Sequence, residues 1–414
     1  PAFLPGWFRR RHHRRLEQRH RAAVTADESA GPTCGRPLLA AALIVRDEER
    51  FLGDCLASLD GVVDEVVVVD TGSRDRTCEI AEAAGARLSH FTWRDDFAAA
   101  RNAALDACRS EWILYIDADE RVIGGDDDAM RAQLDDPRLV GLTVRFRPAT
   151  GYTFYREPRL FRRHPDVRFR GAIHESHLPD LYRLAQRERR TIGHSELALH
   201  HLGYDGDISH KHPRNLPLLE ARLREDPDHI YSWWHLGQTL AGLGRHDDAE
   251  AAWRRGLEAS RRADGAPVAR FLPHLALLDH LRLHRGIFDR ELWHEAWDLA
   301  PGLPTLLWLR ARDHLEVRRW PEAMADLKAI LATPYDGEIA RQFAIEQRLF
   351  TALAPAALAD CYFQLGRYAE AETLYGQLAA AGRGQTGGHA VRPDEPPAQE
   401  FEVKRRLAAA RRRR

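Results

Sequence analysis

The sequence has few of the features that mark secreted, zinc-ribbon or membrane-spanning proteins. Its 414 residues include only five cysteines and no Cys-x2-Cys pair, so neither a zinc ribbon nor a disulfide framework is predicted. No apolar run is long enough to cross a membrane, and no charged-then-apolar signal peptide opens the chain. These absences predict free thiols in a cytoplasmic protein.

Acidic and basic residues nearly balance, but both ends of the chain are rich in arginine. A formal net charge of −1 by itself indicates neither an acidic nor a basic partner. Residues 1–36 place aromatic residues ahead of an arginine cluster. They are interpreted either as a segment that contacts an anionic membrane surface or nucleic acid, or as a disordered tail, which is favoured. For the whole chain no nucleic-acid partner is expected, while contact with the inner face of a membrane stays open. Residues 382–414 are also predicted to be disordered.

Residues 37–205 alternate β-branched apolar runs with amphipathic segments. Continuous apolar strands separated by helices are typical of a parallel sheet covered on both faces. The pattern therefore predicts a doubly wound α/β domain, whose ligands bind at the carboxyl ends of the strands. Beyond Asp128, extended segments that include 167–176 are predicted to add antiparallel or mixed strands. The predicted strands are 38–46, 65–70, 87–91 and 112–116, and the predicted helices are 48–59, 74–84 and 95–110.

After about residue 205 the pattern changes to continuous helix. Trp233-x2-Leu236-Gly237, followed by Trp253, matches the tetratricopeptide consensus, in which Trp-x2-Leu-Gly precedes a second aromatic position. An all-α domain of tetratricopeptide-like repeats is therefore predicted for residues 206–381. Another copy falls at 362–375 and a weaker one at 319–327.

Three predicted strands end in acidic or polar residues. The first runs into Arg46 and Glu48, the second ends at Asp70, and the fourth leads into Asp117-Ala118-Asp119. Because parallel strands end at one edge of a sheet, these side chains are predicted to meet in one crevice. Two carboxylates there could hold Mg²⁺ or Mn²⁺, which prefer oxygen ligands. The alternative is that both aspartates only cap the helix predicted to follow them.

The same segments resemble glycosyltransferase family 2 of the GT-A fold. The resemblance rests on LIVRDEERFLGDCLASL, VVVVDTGSRDRT, FAAARNAAL and WILYIDADE, which occur in the family's order and spacing. It covers about residues 38–205. It implies a nucleotide-diphosphate sugar donor, usually UDP-linked, and inversion at the anomeric carbon.

The resemblance also implies roles for single residues. Arg46 and Glu48 would lie against the nucleotide, Asp70 would contact the base, and Arg101 would face the nucleotide or diphosphate. Thr71 stands where many relatives have a second aspartate, which leaves the base and ribose contacts open. Asp117 would meet the ribose or the water shell of the metal. Asp119 would ligate the metal directly.

The downstream segments resemble a bacterial subgroup in which the transferase is fused to tetratricopeptide repeats. In Gly171-x2-His174-Glu175, Glu175 is the candidate base, with His174 orienting it or contacting phosphate. In His201-x-Gly203-Tyr204, His201 would complete the metal shell or bind the diphosphate. Lys211 would neutralise charge on the leaving group. The structural alternative is that these histidines serve only packing or hydrogen bonding.

Nothing in the sequence identifies the acceptor, for which a peptide, a protein and a glycan all stay open. The repeats would present the acceptor, organise a homodimer, or both. A scaffold protein with an inactive transferase domain is the main alternative. A sugar-nucleotide nucleotidyltransferase is disfavoured because RDEERFLGD supplies no glycine-rich basic loop after the first strand.

Overall fold

The computed structural model describes residues 39–125, 127–203, 209–263, 270–334, 342–384 and 398–413. Residues 1–36 and Tyr204 lie outside these ranges, so their predictions stay predictions. Within the described residues, no helix combines the length and the apolar content that a membrane crossing needs.

The amino-terminal half is built on one mixed sheet with the strand order β3-β2-β1-β4-β7-β6-β8-β5. Strands β3, β2, β1 and β4 are parallel, and β7 joins β4 in the antiparallel direction. The predicted GT-A-like, mostly parallel α/β architecture is therefore confirmed. The strands are β1 (Leu39–Val45), β2 (Glu65–Asp70), β3 (Arg87–His90), β4 (Trp112–Tyr115), β5 (Glu120–Gly124), β6 (Leu139–Arg147), β7 (Tyr155–Arg162) and β8 (Thr191–His201).

Both faces of this sheet are buried, as the continuous apolar strands predict. On β1, Leu39 and Leu43 point into one hydrophobic cluster, while Ala40 and Ala42 point into another on the opposite face. Helices complete the two layers and carry the chain between strands. They are α1 (Leu52–Ser58), α2 (Thr77–Ala83), α3 (Phe97–Ala107), α4 (Asp127–Leu134) and α5 (Leu178–Glu188).

The predicted strand at 167–176 is wrong. The structure shows only an isolated antiparallel bridge there, in which Arg170 and Ser176 exchange backbone hydrogen bonds of 3.1 and 3.0 Å. Between them Gly171 has φ +100° and His174 has φ +51°, conformations that a regular strand does not contain. The segment is therefore a closed loop, and this loop holds His174 and Glu175.

The described residues of the carboxyl-terminal half are mainly α-helical, as predicted. Its helices are α6 (His212–Glu225), α7 (Ile230–Gly242), α8 (His246–Arg262), α9 (Leu272–Arg285), α10 (Arg290–Leu299), α11 (Pro304–Glu316), α12 (Trp320–Ala332), α13 (Ala354–Gln364), α14 (Tyr368–Gly384) and α15 (Ala398–Arg412).

Gly237 and Trp253 explain the tetratricopeptide pattern physically. The indole of Trp253 on α8 lies against the backbone of Gly237 on α7 and donates a 3.1 Å hydrogen bond to the carbonyl of Trp234. A Cβ at Gly237 would lie 2.2 Å from Trp253 Nε1. The glycine is therefore required for the close approach of the two helices.

We expect Gly237→Ala to lower the free energy of unfolding by about 1–3 kcal/mol, the cost of overpacking a core. In an ordinary helix interior, replacing glycine by alanine raises the stability by roughly 1 kcal/mol, so the expected effect has the opposite sign. Urea unfolding would measure it. Gly53→Ala is the matched control, because its nearest neighbour would lie 3.8 Å from the new Cβ. If both variants were equally stable, the close packing at Gly237 would be contradicted.

The predicted disorder of residues 382–414 is wrong for Ala398–Arg412, which forms α15. Phe401 and Ala408 lie two turns apart on one face and are buried. Glu402 pairs with Arg406 at 3.0 Å one turn away, so part of the basic charge is compensated along the helix. The arginine content suggested a solvated tail, but this apolar spacing supports a packed helix.

The two halves share a packed interface within one compact unit, Leu38–Arg414. Ile173, in the loop that carries Glu175, belongs to the hydrophobic cluster of the helical half. Thr153 and Ile345 are joined by two hydrogen bonds, of 2.9 and 2.8 Å. The boundary predicted near residue 205 stays a prediction, because contacts continue across it.

Candidate active site

The candidate site lies at the carboxyl end of β4, where the strand delivers Asp117 and Asp119. Arg101 on α3 donates to Asp117 Oδ1 over 2.5 Å and to Glu175 Oε1 over 3.0 Å. Only 8% of the Arg101 side chain is exposed, and its guanidinium lies 5.4 Å from the centre of the Tyr115 ring. One buried cation thus joins a strand end to the loop that holds the candidate base.

The charge of Arg101 affects Asp117 directly. Burial would raise the pKa of Asp117, but the neighbouring guanidiniums of Arg101 and Arg159 hold this pKa below its usual value. Arg101 Nη1 is buried and has no hydrogen-bond partner among the described residues. A buried donor without a partner is costly, so an additional acceptor would be favoured there.

Glu120 is a residue to which the sequence assigned no chemistry. Its side chain is buried, and Oε2 accepts the backbone N–H of Asp117 over 2.9 Å. Oε1 pairs with Arg159 of β7 over 3.0 Å. Burial raises the pKa of Glu120 to about 7, while Arg159 opposes this shift. Glu120 therefore fixes the turn that separates Asp117 from Asp119.

Asp119 and His201 form the second part of the site. His201 Nε2 lies 3.3 Å from Asp119 Oδ2, and Nδ1 lies 3.0 Å from the carbonyl oxygen of Pro148. A proton on Nδ1 would be donated to that carbonyl and would leave the lone pair of Nε2 facing Asp119. Gly203 makes the arrangement sterically possible, because a Cβ there would lie 1.8 Å from Asp119 Oδ2.

Glu48 adds a third carboxyl group near the two aspartates. Burial, and then the charges of Asp119 and Asp117, raise the pKa of Glu48 to about 7. Lys211 acts in the opposite direction, and its Nζ lies 3.5 Å from the carbonyl oxygen of Gly203. A cation between these acidic groups would relieve their mutual repulsion. Such a site suits a hard divalent ion.

Asp70 and Arg46 differ in what they offer a ligand. Asp70 is 4% exposed and accepts the backbone N–H groups of Gly72 and Ser73 at 3.0 Å each. The ring of His90 lies 3.3 Å from the same carboxylate. These hydrogen bonds shape the loop after β2, so the predicted contact with the base stays a prediction. Arg46 is exposed at the end of β1.

His174 does not orient Glu175 as the sequence suggested. Its ring stacks on His235 of α7, with 3.7 Å between the ring centres, and no described hydrogen bond joins it to Glu175. Burial lowers the pKa of His174 to about 4, so the imidazole is neutral near pH 7. The side chain that contacts Glu175 Oε1 is Arg101, over 3.0 Å.

Comparison with known proteins identifies two regions of the chain. Residues 41–191 match the glycosyl transferase family 2 model, and residues 230–262 match a tetratricopeptide repeat model. The chain therefore contains a family 2 glycosyltransferase domain followed by at least one tetratricopeptide repeat, which is the order predicted from the sequence.

Two curated relatives are similar to this chain over more than half of its length. A TPR repeat-containing protein of Synechococcus elongatus is 40% identical over 246 residues, which cover 57% of this chain and 60% of that protein. The SPbeta prophage-derived glycosyltransferase SunS of Bacillus subtilis is 25% identical over 266 residues, 60% of each chain. The chain thus matches less than two thirds of the length of these relatives.

Among solved structures, the mannosyltransferase PcManGT of Pyrobaculum calidifontis, in complex with GDP-Man and Mn²⁺, is similar over 76% of this chain and 91% of its own. The identity is 18% and the TM-score is 0.40.

Proposed function

We propose that the chain is an inverting glycosyltransferase that moves a hexose from a nucleotide-diphosphate sugar, with UDP-sugar as the expected donor. The observation that carries the proposal is the convergence of Asp119, His201 and Arg101 at the end of β4. The acceptor would be a peptide, a protein or a glycan.

A divalent metal, Mg²⁺ or Mn²⁺, fits the pair formed by Asp119 and His201. Two ligands of one ion at about 2.1 Å each lie roughly 3 Å apart, close to the 3.3 Å between Oδ2 and Nε2. Asp117 would contact the ribose or the water shell. When bound, the ion would neutralise charge on the diphosphate leaving group.

The other side chains would bind the donor and move the proton. Arg101 Nη1 would donate to a diphosphate oxygen, and Lys211, whose charge acts on Glu48, would add positive charge. Arg46, Glu48 and Asp70 would line the nucleotide. As the acceptor attacks the anomeric carbon, Glu175 would take its proton while Arg101 keeps the carboxylate in place.

The helical repeats would present the acceptor to Glu175. The loop that carries Glu175 rests on α7 through the stacked rings of His174 and His235, and Tyr231 packs edge-on against both rings. An acceptor held by the repeats would therefore approach the base from a surface that already contacts its loop. Pairing of two copies through the repeats stays a prediction.

The donor reaction can be tested without knowing the acceptor. We expect purified protein with Mn²⁺ to hydrolyse one of UDP-glucose, UDP-N-acetylglucosamine or GDP-mannose slowly and release the nucleoside diphosphate. EDTA should abolish the release, and Mn²⁺ or Mg²⁺ should restore it. Nucleotidyl transfer would instead consume a nucleoside triphosphate and release pyrophosphate. If no donor is hydrolysed and none raises the melting temperature, the transferase proposal fails.

The scaffold alternative makes a different prediction for Asp119→Asn. A transferase loses sugar transfer in this variant. A scaffold keeps its partner at unchanged affinity and has no transfer to lose.

A further inference from the structure

A cluster of histidines on the helical half lies outside the candidate active site. His246 is the first residue of α8, and His280 and His284 lie one turn apart on α9. Nitrogen atoms of the three imidazoles all lie within 4.8 Å of one another. The ring centres of His246 and His284 are 4.3 Å apart, and those of His280 and His284 are 4.6 Å apart. Three such nitrogens can converge on one ion after small rotamer changes.

Glu250 lies beside the cluster with one carboxylate oxygen unbonded. It lies one turn after His246 on α8, and its Oε1 accepts from Arg254 over 2.8 Å, whereas Oε2 is buried without a hydrogen-bond partner among the described residues. The nearest ring nitrogen, His280 Nε2, is 3.7 Å away. In metal sites a carboxylate commonly accepts the second N–H of a ligating histidine and orients its ring. Glu250 is placed for that role toward His280.

We propose that His246, His280 and His284 bind a first-row transition-metal ion of the Zn²⁺ class, with Glu250 positioning His280. A set of three imidazole nitrogens suits zinc, copper or nickel, whereas a site completed mainly by carboxylate and phosphate oxygens suits Mg²⁺ or Mn²⁺. This ion would therefore differ from the one at Asp119. His280 is buried whereas His246 and His284 are exposed, so the ion would face solvent with one position left for water.

Neighbouring charges are compatible with a bound cation. Arg285 lies 3.6 Å from Glu250 Oε2, but its closer partner is Asp247 at 2.7 Å. Its charge is therefore compensated outside the three histidines. The ligands come from both α8 and α9. The ion would therefore link α9 to the helix pair that matches the tetratricopeptide model, α7 and α8. The proposal does not rest on the transferase reaction.

The test is calorimetric titration of the full chain with Zn²⁺, in saturating Mg²⁺ to occupy oxygen-rich sites. We expect a Zn²⁺ site that weakens by at least about 100-fold in the double variant His246→Ala, His284→Ala, since two of three ligands are removed. Both side chains are exposed, so the fold should survive, and circular dichroism without zinc would check this. Glu250→Gln should weaken binding by roughly 10–100-fold.

Two control variants decide where the zinc binds. His294→Ala removes an exposed histidine of α10 outside the cluster and should leave the affinity unchanged. Cys78→Ser removes the thiol from the other group of potential ligands, Asp70, Cys78 and His90. The proposal is overturned if the wild type binds no Zn²⁺. It is also overturned if the double variant binds as tightly as the wild type, or if binding is lost in Cys78→Ser instead.

Discussion

Asp119→Asn is expected to lower kcat for sugar transfer by about 10²–10³-fold, the effect of removing one electrostatic contact to developing charge. The amide keeps the shape of the carboxylate but loses the negative charge that faces His201 Nε2 at 3.3 Å. Affinity for Mn²⁺ should fall in parallel. Initial rates at saturating donor, together with a Mn²⁺ titration, would measure both effects.

A matched control separates this effect from a general change of charge. Asp106→Asn removes a carboxylate from α3 that is 62% exposed and pairs with Arg168 on the surface. Its activity should stay near that of the wild type. Gly203→Ala is a second probe, since its new Cβ would collide with Asp119 Oδ2 and should reproduce the loss without removing a charge. Equal kcat and Mn²⁺ affinity in Asp119→Asn and wild type would contradict the proposed metal site.

Arg101→Met is expected to abolish detectable transfer and to lower the free energy of unfolding by about 3–5 kcal/mol. This is the usual cost of removing one partner from a buried ion pair. The substitution keeps most of the apolar volume but leaves the carboxylates of Asp117 and Glu175 without their shared guanidinium. Chemical unfolding would measure the stability, and donor hydrolysis the activity.

Further variants test the bridge itself. Arg101→Lys keeps the charge, but a single ammonium cannot reproduce the two-sided geometry of the guanidinium. Compared with Arg101→Met, we expect Arg101→Lys to recover more of the folding stability than of the transfer activity. Adding Glu175→Gln to Arg101→Met should recover part of the lost stability, because one uncompensated charge is removed. Arg168→Met, which breaks the exposed pair with Asp106, should cost no more than about 1 kcal/mol. A similar small cost in Arg101→Met would contradict the buried bridge.

The acidic residues at the strand ends could be predicted from the sequence because each directly follows an apolar run. Asp117 and Asp119 follow a buried strand directly, and the parallel pairing of β1 with β4 brings them near Glu48. The alternation of apolar runs also predicted the two buried faces of the sheet. Such features depend on neighbouring residues and on the general geometry of parallel sheets.

The contacts that hold the site could not be predicted in the same way. Glu120, at the start of β5, pairs with Arg159 of β7, which lies 39 positions later in the chain, and no local signal in the sequence specifies this contact. His174 was assigned to the active site because it precedes Glu175, but its positive φ turns the ring toward α7. The helix at 398–412 was missed because arginine content outweighed the spacing of Phe401 and Ala408.

The loop at 170–176 has a consequence for engineering. Its Ile173 packs into the helical half, its His174 stacks on α7, and its Glu175 pairs with Arg101 in the transferase half. The two halves are therefore not interchangeable modules. Grafting different repeats onto this chain would also replace the surface on which the loop at 170–176 rests. A working chimera would have to carry His235 and its surroundings across the junction.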